Sequence, residues 1–303
     1  MSVSFFIQDI NNKGSITVEQ MFNIGGGNYI QYSYAVDSDS ELYGKFIEEK
    51  LENFECMLLG IEGKCAKCFE LSFDKDYIIK LFSPCSIGDF EVAFDYIKRL
   101  CAFLGNNEVL TEDGKTYNAS DIEKYPYKEH ILAGINQGFD TLKKYNYKTI
   151  DIECINRVVS FNEQMFTEIL ASDNPVEKFS KLITDIQYID AYSAKQKFYE
   201  DKEGTIFGSY TITATVPTIL PFTPYVDYEN QNMVIYEEVS KWIINFVVIN
   251  GSPEDMSSYE NIGQVDYNEF INRLLKEKYS FIDAKNILVQ PLNNEELRQI
   301  LNG

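Results

Sequence analysis

The sequence predicts an α+β fold, with mixed, largely antiparallel sheets packed against amphipathic helices. Three observations carry this. In "NYIQYSYAV" (28–36), Ile30, Tyr32, Tyr34 and Val36 alternate with Gln31, Ser33 and Ala35, the mark of a strand with one buried face. In "IGDFEVAFDYIKRLCAFLG" (87–105), Phe90, Ala93, Phe94, Ile97, Leu100, Cys101 and Leu104 recur at helical spacing. Strand and helix patterns follow one another without strict alternation, which argues against a doubly wound parallel sheet.

The elements follow in order. "SVSFFI" (2–7) is a short apolar run of strand formers, and "SITVEQMF" (15–22) reads as a helix capped by Ser15 or Thr17. The glycines of "NIGGGNYIQY" (23–32) then follow a helix and precede a strand. Phosphate-binding glycine loops run the other way, from strand to helix, so that helix N-terminal amides face the anion. Here Gly25–Gly27 sit at a helix C-terminus, where glycine supplies a left-handed stop. Ile30 stands where a dinucleotide motif needs its third glycine, and no P-loop Lys follows. "DSDSE" (37–41) has a distant resemblance to a calcium loop with Glu48 as last ligand, but Leu42 replaces the loop glycine, so it reads as a solvated lead-in to a helix.

"CFELSFDKDYIIKLF" (68–82) reads as two strands around a turn at Asp74–Asp76, and "VLTEDGKTY" (109–117) as a hairpin on Asp-Gly. "PYKEHILAGINQGFDTLKKY" (126–145) is a second amphipathic helix, and "KTIDIECI" (148–155) a strand. Helices are expected at 162–171, 176–186, 266–278 and 294–301, and strands at 205–215, 233–238, 241–249 and 286–290. The expected division is an N-terminal α+β domain, 1–147, and a C-terminal one, 148–303, or else one compact unit.

Composition bounds function. Of 303 residues, 45% are hydrophobic, which is ample for a core. Lys plus Arg number 27 against 47 Asp plus Glu, a net charge of −20 that disfavours nucleic acid and anionic membranes. The acids are spread along the chain. They read either as a soluble surface or as one that engages a basic protein partner. The N-terminus lacks a basic n-region, and "WIINFVVI" (242–249) is too short to span a bilayer. A cytoplasmic protein with six reduced cysteines is expected.

"MSVSFFI" at the start and "FELSFDKDYIIKLFSPCSIGDFEVAFDYIKRL" at 69–100 resemble the bacterial family called domain of unknown function DUF4299. The resemblance would cover most of the chain. It implies a bacterial intracellular protein and brings no activity or catalytic residue with it.

Candidate chemistry is sparse. Cys65 and Cys68 form a CxxC, and with Cys56 and Cys85 could make a four-thiolate site; the alternative is small buried hydrophobes. Redox CxxC motifs open a helix, whereas this one leads into a strand. His130 is the only histidine, so nucleophilic triad chemistry would have to run through it; it sits beside the apolar face of an ordinary helix. "TVPTILPFTPYVDYENQ" (215–231) interleaves Pro217, Pro221 and Pro224 with Phe222, Tyr225 and Tyr228. Aromatics on a stiffened loop make inexpensive binding anchors, so these three are the candidate partner-binding residues; the alternative is a rigid connection tucked into the core. No cofactor and no metal ligand is assigned. The reading is a non-catalytic interaction or regulatory protein, immunity- or inhibitor-like in its sharpest form. Its competitor is a metal-assisted hydrolase built from Asp and Glu.

Overall fold

In the computed structural model, which describes residues 2–37, 39–232, 234 and 238–303, the chain divides into two units, Met1–Tyr188 and Ile189–Gly303. The fold is α+β with mostly antiparallel pairing, as the patterns predict.

The first unit is built on a seven-stranded antiparallel sheet. Its strands are β1 (Ser2–Ile7), β2 (Ile30–Gln31), β3 (Met57–Gly60), β4 (Phe69–Asp74), β5 (Asp76–Phe82), β6 (Glu108–Thr111) and β7 (Thr116–Asn118). The order is β2-β3-β4-β5-β1-β6-β7, so the N-terminal strand lies inside the sheet, against β5 and β6. Helix α1 (Val18–Gly25) starts at Thr17, which forms a reciprocal capping box with Gln20. It ends at Gly26, whose φ of 73° is the left-handed conformation a helix stop requires. The expected strand 28–36 shrinks to the two residues of β2. Gln31 Oε1 accepts the Tyr34 N–H at 2.9 Å, and this local turn takes the chain off the ladder.

Helix α2 (Glu41–Glu48) follows the acidic loop, and α3 (Ile87–Leu104) lies against the sheet, with Phe94 edge-on to Phe5 at 5.8 Å. Helix α4 (Tyr127–Lys144) packs on α3. The chain then forms the hairpin β8 (Ile150–Ile152) and β9 (Val159–Phe161) and the helices α5 (Glu163–Leu170) and α6 (Pro175–Gln187). The boundary expected at 147/148 therefore falls inside this unit. The cause is burial: Phe161, Phe166 and Phe179 are fully buried, and Phe166 stacks at 5.7 Å on Phe139 of α4.

The second unit has two four-stranded sheets. One joins β10 (Tyr192–Ser193), β13 (Thr218–Pro221), β17 (Asn286–Val289) and β16 (Tyr279–Phe281) in that order. The other joins β11 (Lys197–Glu200), β12 (Ile206–Thr213), β14 (Val239–Ile249) and β15 (Tyr259–Asp266). Pairings β10–β13 and β12–β14 are parallel, the rest antiparallel. One core collects Ile212, Ile244 and Phe246 from the second sheet and Leu220, Ile287 and Val289 from the first. Phe270 of α7 (Tyr267–Arg273) and Leu297 of α8 (Asn294–Asn302) close it. The helix expected at 266–278 stops at Arg273, because Leu274 turns extended and stays buried in this core. Of the strand expected at 233–238, residues 233 and 235–237 lie outside the described residues.

Candidate functional site

The residues singled out for chemistry fall in three places. The first is the start of α3. Ser86 caps the helix, and Asp89 at its third position closes a capping box. Asp89 Oδ1 also accepts the backbone N–H of Ala66, Lys67 and Cys68 at 3.0, 2.9 and 2.7 Å. Its Oδ2 accepts the Ser86 N–H at 2.7 Å and hydroxyl at 2.8 Å. Burial pushes this carboxyl upward and the five hydrogen bonds oppose it. All its accepting capacity is spent on pinning the CxxC loop to the helix.

Cys65 and Cys68 are buried there, and Cys68 adopts a left-handed backbone, φ 66°. Hydrogen bonding to Cys65, and then burial, pushes the Cys68 thiol far above its ordinary range. Burial also raises Cys85, takes Cys101 and Cys154 up to about 12, and takes Cys56 up to about 11. A raised Cys68 is the opposite of the lowered thiol that a redox CxxC needs. Among the described residues no group of three or more His, Cys, Asp or Glu side chains could hold a metal ion, so Cys56, Cys65, Cys68 and Cys85 are not brought together as a zinc site. His130 is equally committed: its Nε2 hydrogen-bonds the Tyr125 hydroxyl at 2.8 Å, and the two rings stack.

The second place is a cleft of about 770 Å³ in the first unit, between β3–β5, the middle of α4 and the strand β8 with its following residues. Lys67, Glu70, Glu153 and Cys154 line it together with Leu58, Phe82 and Phe166. Lys67 is half-buried and makes no side-chain hydrogen bond or ion pair among the described residues. Sequence patterning missed this cleft, because its wall is assembled from segments far apart in the chain.

The third place holds the proline-aromatic segment of the second unit. Part of it is no loop: Thr218–Pro221 is the fully buried strand β13, inside its sheet. Phe222 is half-buried, 4.9 Å from the Phe281 ring and 5.9 Å from that of Tyr279. Tyr225 is half-buried, with the Lys285 ammonium 5.0 Å from its ring centre. Tyr228 is 81% exposed. Gln196, which no sequence pattern marks, fastens the segment. Its Oε1 accepts the Asp227 N–H at 3.0 Å and Asn230 Nδ2 at 3.1 Å, while its Nε2 donates to the Tyr210 hydroxyl and the Tyr225 carbonyl.

Beside this segment lies a cavity of about 510 Å³ lined by Thr223, Pro224, Trp242, Asp266 and Asn268. Trp242, the only tryptophan, is 7% exposed and its indole N–H has no hydrogen-bond partner among the described residues. Its six-membered ring lies over Gly208 of β12, where a Cβ would come within 2.4 Å, and its face stacks on Tyr210. The N–H edge points away from Gly208.

The sequence profile of the family described as domain of unknown function DUF4299 matches residues 2–300. The chain belongs to the DUF4299 family. No curated protein and no solved structure matches it. In this DUF4299 protein no described helix is long and apolar enough to cross a membrane. Asp89 and His130 are held by the hydrogen bonds described above, and the two cavities described carry charged as well as apolar side chains, Lys67, Glu70 and Glu153 in the first and Asp266 in the second.

Proposed function

We propose that this DUF4299 chain is a non-catalytic binding protein whose second unit engages a basic protein partner, with the segment of Phe222, Tyr225 and Tyr228 as the contact. The observation that carries the reading is Trp242, which lines the cavity beside that segment and whose buried indole N–H has no acceptor among the described residues. A buried donor without an acceptor costs about 1–3 kcal/mol, and a partner whose binding opens the cavity wall would supply a backbone carbonyl to it. Residues 215–231 contain Asp227 and Glu229 and no Lys or Arg, so the exposed Tyr228 ring is flanked by acids. Such a surface suits a cationic side chain on the ring and a partner drawn in by the chain's net charge of −20. The metal-assisted hydrolase lacks comparable support, as the described residues bring together no donor set.

The test is to recover the partner on tagged protein from its own host and measure the affinity of the purified pair. The expected partner is basic, and binding weakens as salt rises. Tyr228→Ala and Trp242→Phe each weaken it, the latter by about tenfold, the worth of one buried hydrogen bond. Equal binding by both variants, or salt-independent binding, would remove this reading.

A further inference from the structure

The cleft of the first unit plays no part in that reading. We propose that it binds a small zwitterion, a free α-amino acid or a short peptide, whose carboxylate meets Lys67 and whose ammonium meets Glu70 and Glu153.

Lys67 stands out among the lining residues. In a chain with 47 acids and 27 bases, a half-buried lysine has an abundance of counter-ions to choose from. Its stem is partly covered while its ammonium keeps access to water, so the charge is free to meet a ligand. Lys67 takes no counter-ion among the described residues, although Glu70 and Glu153 line the same cleft. Its backbone explains why: the Lys67 N–H is pinned by Asp89 at 2.9 Å, which fixes where the side chain leaves the loop. Glu70 is fixed separately, in the ladder of β4 opposite Lys80 of β5. Both side chains thus leave well-fixed backbone on the wall of one cleft.

A simple anion would meet Lys67 but be repelled by the carboxylates, and a simple cation would meet the reverse. A molecule carrying both charges satisfies both. Leu58, Phe82 and Phe166 supply apolar wall for its frame, and the volume of about 770 Å³ is in the range of small-molecule sites. Free amino acids and peptide termini share this chemistry, so the assay must separate them.

Calorimetry and thermal shift on the full chain would use the common L-amino acids and the dipeptide phenylalanyl-phenylalanine, each at millimolar concentration. The amine and the acid that each keep one charge of the tightest binder serve as controls. The expected result is saturable binding by at least one zwitterion, with both one-charge controls about tenfold weaker or worse. Lys67→Met and Glu70→Gln should each lose about tenfold in affinity, while the unliganded melting temperature holds, since neither removes a backbone partner. Tight binding of a single amino acid but not the dipeptide assigns the free amino acid, and the reverse assigns a peptide. Binding by no zwitterion, equal binding by a one-charge control, or wild-type affinity in Lys67→Met would overturn the proposal.

Discussion

Asp89 shows how much a single side chain can organise. Its place in the third position of α3 follows from a local pattern, Ser86 followed three residues later by an acid. Its reach to three amides at Ala66, Lys67 and Cys68 does not, since nothing local links residues 22 apart in sequence. Asp89→Asn keeps the volume but turns one oxygen into an NH₂ group facing N–H or O–H donors. That change should cost about 3 kcal/mol, read as a fall in the urea midpoint. Ser86→Ala removes only the cap and should cost about 1 kcal/mol in the same titration. Equal losses would mean that the clasp on the loop adds nothing. The cysteines were half legible at this scale. The burial of Cys65, Cys68, Cys85 and Cys101 follows from residue type, and the left-handed Cys68 could not be read from a pattern.

At the scale of elements, long amphipathic segments were the most legible. Helices α3 and α4 appear within two residues of their expected ends, because their apolar faces repeat at 3.6 residues and Gly105 supplies the left-handed stop for α3. Strands were read unevenly. The sequence of β15, "YENIGQVD", carries no alternation, since it is an exposed edge strand held by its pairing to β14. Strand β13 was taken for loop because of its prolines, although Pro221 sits at its very end, where a missing N–H does no harm. The candidate segment was thus partly legible: its aromatics announced themselves, while Gln196 and Trp242, which give it shape, come from elsewhere in the chain.

Two glycines test packing against propensity. Gly134 in α4 faces Ser83 and Pro84 so closely that a Cβ would lie 2.2 Å from Ser83 Oγ and 3.1 Å from Pro84 Cα. Gly44 in α2 has nothing within 4 Å. Alanine is the better helix former by about 1 kcal/mol. Gly44→Ala should therefore raise the melting temperature, while Gly134→Ala should lower stability by about 1–3 kcal/mol through the clash. A melting experiment in which both variants gain stability would show that α4 can move away from Pro84.

For the whole molecule, the consequential finding is where the first unit ends. A chain cut after residue 147 would lose Phe161 together with Phe166 and Phe179, whose rings lie 5.2 and 5.5 Å from that of Phe161. It would also lose Tyr188, whose hydroxyl donates to the Cys65 carbonyl at 2.7 Å. Fragment 1–188 should therefore melt cooperatively, and fragment 1–147 should show no cooperative transition by circular dichroism. Cooperative melting of the shorter piece would return the boundary to the position read from the sequence. The sequence cannot separate the two positions for a physical reason: a strand start such as Ile150 looks alike whether it opens a new unit or completes an old one.

The central place of β1 also bears on how the protein is made. Ser2–Ile7 emerges from the ribosome before its partners, Asp76–Phe82 and Glu108–Thr111, and its last neighbour arrives some hundred residues later. At about 5–20 residues per second, "SVSFFI" waits roughly 5–20 s with its apolar side chains uncovered. The nascent chain thus carries a sticky segment until about a hundred further residues have been added. The sheet closes only when the segment up to Thr111 has cleared the exit tunnel, which makes translation speed over that stretch a determinant of yield.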